Sequence, residues 1–145
     1  MVRRARIAAA GLLATALGAC AAPPPEAVAA PAACAAGGSR MARVELIFGQ
    51  ALADGGSGVS EAQWLDFLAQ EVTPRFPDGL TAFDAYGQWR HPDKGIVRLT
   101  SKVLLVWYRP STEAEAAIEA IRAAYKRRFD QISVMRVDGL DCVSF

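Results

Sequence analysis

The chain has one histidine and three cysteines. A structural zinc site takes four His or Cys ligands, so that supply nearly excludes a multi-ligand zinc centre. Basic charge is not in excess either: the formal net charge is +1, too little for a nucleic-acid binder that works by bulk positive charge. No apolar run is long enough to span a bilayer. The mostly apolar run from Ile7 to Gly18 has twelve residues, against about 20 needed to cross the hydrocarbon as a helix. No Gly-rich phosphate loop with its lysine follows a strand, and no serine has a histidine neighbour that would make a nucleophile–base pair. No cofactor is expected.

What is present is unevenly spread. Sixteen of the 29 alanines and four of the eight prolines lie in the first 36 residues. Arg3, Arg4 and Arg6 precede the twelve-residue run, which has the length of a signal-peptide core. Leu17-Gly18-Ala19-Cys20 then resembles the lipobox of bacterial lipoproteins, in which the cysteine becomes the lipidated N-terminus. The competing reading is an ordinary signal peptide with a chance cysteine at the cut. Removing residues 1–19 takes away three arginines and turns +1 into −2. Ala21 stands where an inner-membrane retention signal would have Asp. The resemblance therefore implies a palmitate-bearing envelope lipoprotein, held at the outer membrane through Cys20 and facing the periplasm. Residues 20–38, rich in Ala and Pro, read as an extended tether.

Residues 39–145 carry the folding pattern. Val44, Leu46 and Phe48 alternate with Arg43, Glu45 and Ile47, the period of a half-buried strand. Asp54 to Gly58 is a flexible loop. Ser60 and Gln63 form a capping box ahead of Trp64, Phe67, Leu68 and Val72 at helical spacing, and Pro74 stops that helix near Thr73. Leu80 to Arg90 predicts a second strand with Phe83, Ala85 and Trp89 inward and Asp84, Tyr86, Gln88 and Arg90 outward. His91 to Gly95 is a turn. Ile96 to Tyr108 predicts a third strand with Val97, Leu99, Val103, Leu105 and Trp107 inward and Arg98, Thr100, Lys102, Leu104 and Val106 outward. Thr112 and Glu115 suggest a second capping box before the stripe Ile118, Ile121, Tyr125, Phe129. Gln131 to Val137 predicts a fourth strand, continuing toward Phe145 past a kink at Gly139.

The order β-α-β-β-α-β, with right-handed crossovers, gives an α+β ferredoxin-like fold: a four-stranded antiparallel sheet in the order 4-1-3-2 with two helices on one face. The expected core is Trp64, Phe67, Phe83, Trp89, Trp107, Ile118, Ile121 and Tyr125.

Five strings, Glu45-Leu46-Ile47-Phe48-Gly49, Thr73-Pro74-Arg75-Phe76-Pro77-Asp78-Gly79-Leu80-Thr81, Gly87-Gln88-Trp89-Arg90, Ser101-Lys102-Val103 and Cys142-Val143-Ser144-Phe145, together resemble the domain-of-unknown-function family 3574. That resemblance implies a fold and a set of shared residues, not a reaction.

The sheet face away from the helices is the candidate ligand face, with Glu45, Tyr86, Gln88, Arg90, Arg98 and Lys102. Adjacent strands 1 and 3 would let Glu45 pair with Lys102 or Arg98. Such pairs are more often the ion pairs of a solvated surface, each worth about 0.2–1 kcal/mol. A third use is a homodimer through the open face, with Leu104, Val106 and Tyr108 as apolar area. An RNA-recognition motif shares the topology but needs aromatics on the open side of the central strands. Here Glu45, Ile47, Arg98, Thr100 and Lys102 are expected there, so no nucleic-acid partner is expected. His91, alone at a turn, reads as exposed and inert. Asp138 and Asp141 read as solvated.

With Cys20 acylated, two thiols remain in an oxidising compartment. Strand 4, antiparallel to strand 1, ends near the start of strand 1, so Cys34 can reach Cys142 and form a disulfide. A buried free Cys142, or pairing of Cys34 between molecules, are the alternatives. The sequence thus points to a non-catalytic, membrane-tethered binding module, or else to a small enzyme or ligand carrier using a polar open face.

Overall fold

The computed structural model describes residues 33–51 and 58–145. Cys20, the signal segment, most of the tether and the Gly-rich loop lie outside the described residues. The elements are β1 (Ser39–Gly49), α1 (Glu61–Phe67) running on into a π-helical turn (Leu68–Val72), β2 (Thr81–His91), β3 (Gly95–Tyr108), α2 (Thr112–Arg128) and β4 (Met135–Val143). The strands form one antiparallel sheet in the order β2-β3-β1-β4. This is the expected α+β arrangement. Among the described residues no helix is long and apolar enough to cross a membrane.

Local chemistry sets the helix starts. Ser60 Oγ accepts from the Gln63 N–H while the Gln63 side chain accepts from the Ser60 N–H, the expected capping box. At α2 the cap is one residue earlier than expected: Ser111 Oγ accepts from the Ala114 N–H, and Thr112 is already helical. A single Ser cap replaces the Thr112–Glu115 box. Acidic Glu113 and Glu115 at its start and Lys126, Arg127 and Arg128 at its end follow the helix dipole. β4 starts at Met135 rather than Gln131 and runs straight through Gly139, which pairs with Arg43 in unbroken register. Gly139 serves close approach rather than a kink: a Cβ there would lie 2.9 Å from Arg43 Nη2.

The core lies between the helices and one side of the sheet. Val44, Leu46, Phe48, Leu104 and Val106 from the strands meet Trp64, Phe67, Ile118, Ile121 and Tyr125 from the helices. Phe48 makes edge-on or tilted ring contacts with Trp64, Phe67 and Tyr125 at 4.6–5.8 Å. Buried Tyr125 keeps its hydroxyl satisfied by donating to the Gly49 carbonyl at 2.9 Å.

Three expected core aromatics are not in this core. Phe83 and Trp89 are about half exposed, and Trp107 is only half-buried. The cause is the phase of β2 and β3. Residues opposite each other in an antiparallel pair point to the same side, and the register sets Leu104 against Leu46 and Lys102 against Phe48. The even-numbered side of β3 therefore faces the helices, opposite to the expectation. β2 follows, because Asp84 pairs with Lys102 and Phe83 with Val103. Val103 to Tyr108 is apolar on both sides, so alternation alone could not choose.

Candidate functional site

The inverted phase redistributes the candidate ligand face. Glu45 lies on the uncovered side of the sheet. Tyr86, Gln88, Arg90, Arg98 and Lys102 lie on the helix side, because their cross-strand partners run from Thr100 to Ile96 in the same register as Lys102 and Phe48. Glu45 pairs with neither Lys102 nor Arg98. Its partner is Arg43, two residues back on the same strand, and Arg43 Nε also meets Asp141 Oδ2 at 2.9 Å. Trp107 Nε1 donates to the same Asp141 oxygen at 2.8 Å, so Asp141 is held rather than merely solvated. The six candidates do not converge on one polar open face, and an enzyme or carrier built on such a face has no such surface here. Leu104, Val106 and Tyr108, the expected apolar area of that face, are buried under the helices.

Lys102 is the one charged residue that is buried among the described residues. Its ammonium reaches Glu61 Oε2 at 2.5 Å and Asp84 Oδ1 at 2.6 Å. Burial pulls its pKa down, but the hydrogen bonds and charges of Asp84 and Glu61 outweigh it and leave the pKa above the usual lysine value. A lysine held this way is a cation at neutral pH, not a base. It fastens the start of α1 to the β2–β3 hairpin.

Beyond that point the hairpin continues alone. β1 ends opposite Ser101, while β2 and β3 stay paired out to His91 and Gly95. This arm is the two-stranded ladder from Tyr86 to Thr100. Tyr86 is 87% exposed on it. An open depression of about 610 Å³ runs along Tyr86, Gln88, Arg98 and Thr100. Among the described residues, Arg90 and Arg98 have no ion pair. His91 Nδ1 accepts from the Asp93 N–H within its turn, a local structural use. A second recess, about 640 Å³, opens where the chain enters the sheet and is lined by Ser39, Met41, Trp107, Arg109, Val143 and Phe145. Two of the family-resembling strings border it, Thr73 to Thr81 through Asp78, Gly79, Leu80 and Thr81, and Cys142 to Phe145 through Val143, Ser144 and Phe145; they were the sequence signals for this recess.

The side of the sheet away from the helices is apolar instead of polar. One row across it reads Phe83, Val103, Ile47, Met135, and the next Thr81, Leu105, Glu45, Val137. Phe83 is 48%, Met135 59% and Val137 40% exposed. Buried area at about 25 cal/mol per Å² is a driving force left unused on this face. The charges on it, Arg43, Glu45 and Asp141, neutralise one another in part. No group of three or more metal-ligating side chains occurs among the described residues.

Cys34 and Cys142 form a disulfide with Cα atoms 5.4 Å apart. Arg40 is opposite Cys142 in the β1–β4 register, and the Gly38 N–H bonds back to the Ala35 carbonyl at 2.9 Å. That turn brings Cys34 back over the strand start.

A family model described as a protein of unknown function (DUF3574) matches residues 43–145. No curated protein matches the sequence. Among solved structures the fold is similar to a phage SAM lyase in complex with S-methyl-5'-thioadenosine, with a TM-score of 0.53, 14% identity, and coverage of 79% of this chain and 95% of that one. The apo state of a phage SAM lyase aligns with a TM-score of 0.49, 15% identity, and coverage of 75% and 91%. At such identities the likeness is one of fold.

Proposed function

The chain belongs to the DUF3574 family of proteins of unknown function, and from that premise we propose that it is a non-catalytic interaction module tethered to the bacterial cell envelope. The uncovered side of its sheet is the interaction surface. The observation that carries this reading is the exposed apolar row of Phe83 and Met135, with Val137 beside it, on a face that no element of the chain covers among the described residues. Soluble monomers rarely leave a contiguous apolar patch of several hundred Å² without a use. The tether reading is supported by Arg3, Arg4 and Arg6, the short apolar run and Cys20 in lipobox register. Lipid on Cys20 and the proline-rich residues 20–38 would hold the domain at the outer membrane with the protein facing the periplasm. The Cys34–Cys142 pair suits an oxidising compartment.

Two measurements test this. Mass spectrometry of the mature N-terminus is expected to show a diacylglyceryl cysteine at position 20; an unmodified Ala21 or an intact Met1 removes the tether. A photo-crosslinking amino acid at position 83 in the full chain, in cells, is expected to trap protein, while the same probe at exposed Leu65 on α1 is not. No adduct from position 83 removes the interaction surface.

A second reading, a small enzyme or ligand carrier, is favoured by one observation: the depression on the arm beside Tyr86, Gln88 and Arg98. Arg98 would hold an anionic or polar group and Tyr86 would stack on a ring. A thermal-shift screen that includes S-methyl-5'-thioadenosine tests it; a shift that Arg98→Ala abolishes would favour this reading.

A further inference from the structure

We infer that the β2–β3 arm binds a carboxylate-bearing glycan, the chemistry of the bacterial cell-wall polymer. The glycan does not use the uncovered face of the sheet. The inference rests on the envelope reading only for where such a polymer is met.

Charge singles out the arm. Between Tyr86 and Thr100 three cations, Arg90, Lys94 and Arg98, stand against a single carboxylate, Asp93, whereas the chain without residues 1–19 carries −2. None of the three cations has an ion pair among the described residues. The ladder sets Gln88 against Arg98 and Arg90 against Ile96, so Arg90 and Arg98 are diagonal neighbours on one side of the arm. Like charges at that spacing, within reach of long side chains, repel. Asp84, on the same side, is held by Lys102 at 2.6 Å. An anion seated between the two guanidinium groups removes the repulsion, and a carboxylate matches the guanidinium fork with two parallel hydrogen bonds.

The rest of the lining favours a sugar over a polypeptide. Tyr86 is 87% exposed, and a bare flat ring offers its electron-rich face to the C–H side of a pyranose. Gln88 and Thr100 beside it supply an amide and a hydroxyl for the hydroxyl and amide groups of the polymer. The depression of about 610 Å³ is open, a trough along the strand pair. A small ligand's pocket encloses most of its ligand, whereas an open trough suits a chain that passes through it. Position agrees with this. β1 runs eleven residues from the chain entry at Ser39 to Gly49, opposite Ser101, where the arm begins. At about 3.3 Å per residue the arm starts roughly 33 Å from the entry. A domain held through its entry end presents the arm as its far end, toward a polymer lying off the membrane surface.

The test is co-sedimentation of the full chain, in mild detergent, with purified cell-wall sacculi. The wild type is expected to pellet with them. The double variant Arg90→Ala with Arg98→Ala, which breaks no ion pair of the fold, is expected to bind about tenfold more weakly. Tyr86→Ala is expected to weaken binding and Tyr86→Phe to keep it, since the ring and not its hydroxyl makes the stack. Soluble disaccharide-peptides released from the sacculi by lysozyme are expected to displace the chain. No pelleting of the wild type overturns the proposal, as does pelleting untouched by the arginine variant. Should that variant fail to accumulate, Tyr86→Ala decides in its place. Equal pelleting with chitin, whose aminosugar rings carry no carboxylate, overturns the proposal too. Equal displacement by polyglutamate at the same carboxylate concentration overturns the glycan in favour of an acidic polypeptide. A thermal shift by S-methyl-5'-thioadenosine that needs Arg98, with no pelleting, assigns the depression to a small ligand instead. Sedimentation depends neither on lipid at Cys20 nor on the position 83 photoprobe. Its failure therefore leaves the tether and the uncovered face standing, and an unmodified Ala21 with pelleting intact removes the tether and leaves the glycan site.

Discussion

The two sides of this sheet have nearly the same apolar content and opposite fates. On the covered side Phe48 and Leu104 are fully buried, and two charges at the margin are clamped by partners on a helix: Lys102 by Glu61, and Arg136 by Glu115 and Glu119. On the uncovered side Val103, itself buried, and half-buried Leu105 continue the same strand but lie outside the core that the helices close, and the charges pair along the sheet itself, as Arg43 does with Glu45 and Asp141. The difference shows that hydrophobicity alone did not select which side of β2 and β3 joined the core. The helices did, by supplying Trp64, Phe67, Ile118 and Tyr125 to one side only. Burial against those rings stabilises the monomer, while the other side is left free for contacts between molecules.

The sharpest way to break this comparison is a pair of truncations. Phe67→Ala is expected to cost about 3–5 kcal/mol of unfolding free energy, since the ring is fully buried among aromatic neighbours. Phe83→Ala, with half its area already in water, is expected to cost under about 1 kcal/mol in dilute monomer. Urea unfolding checks both, and equal costs would mean that the two sides are not distinct.

Next in size is the bridge that pins β4, the strand that forms one edge of the uncovered face. Cys142→Ser opens a loop of 108 residues. The chain-entropy account assigns such loops about 4–5 kcal/mol, and measured losses commonly run from about 2 kcal/mol upward. The same loss is expected on reduction of the wild type. Hydrogen exchange is expected to rise first along Met135–Val143, and uniform exchange would show that the bridge does not act on β4.

Clamped charges on the covered side predict an alkaline limb. Lys102 has a folded pKa above the ordinary lysine value, and burial pushes Tyr125 up to about 12. Each raised pKa means that the native state keeps a proton the unfolded chain releases. Their contribution is complete below about pH 10 and falls as pH rises through the folded values. Tyr125→Phe is expected to remove about 1–2 kcal/mol of that slope between pH 10 and 12. A slope unchanged by both Tyr125→Phe and Lys102→Met would detach it from the covered side.

The smallest effect belongs to the uncovered ion pairs. Glu45→Gln is expected to change monomer stability by less than about 1 kcal/mol, as half-exposed pairs do, and the change shrinks in high salt. A larger, salt-independent loss would place Glu45 in the folding core rather than on a surface.

Much of the architecture was legible. Val44, Leu46 and Phe48 alternate against charged neighbours, so β1 declared its own inward side. Ser60 with Gln63 marked the start of α1, and Ile118, Ile121 and Tyr125 gave α2 one apolar stripe. The candidate site was legible only in its membership: Tyr86, Gln88, Arg98 and Lys102 do share one side of the hairpin, but it is the helix side, and Glu45 is not with them. Lys102 misled because a charge usually marks the outside, whereas here two carboxylates from other elements offset its burial. Thr112 misled at the cap because Ser111 beside it has the same chemistry.

The sequence by itself determined the element order, the strand neighbours and the reach of Cys34 to Cys142, since local periodicity, caps and right-handed crossovers act within a few residues or through chirality. Only the tertiary structure decided which side of β2 and β3 the helices cover. A strand apolar on both sides has two phases of nearly equal local energy. Register with β1, Leu104 against Leu46 and Lys102 against Phe48, selects one, because a one-residue shift in pairing would turn every side chain of the strand to the opposite side.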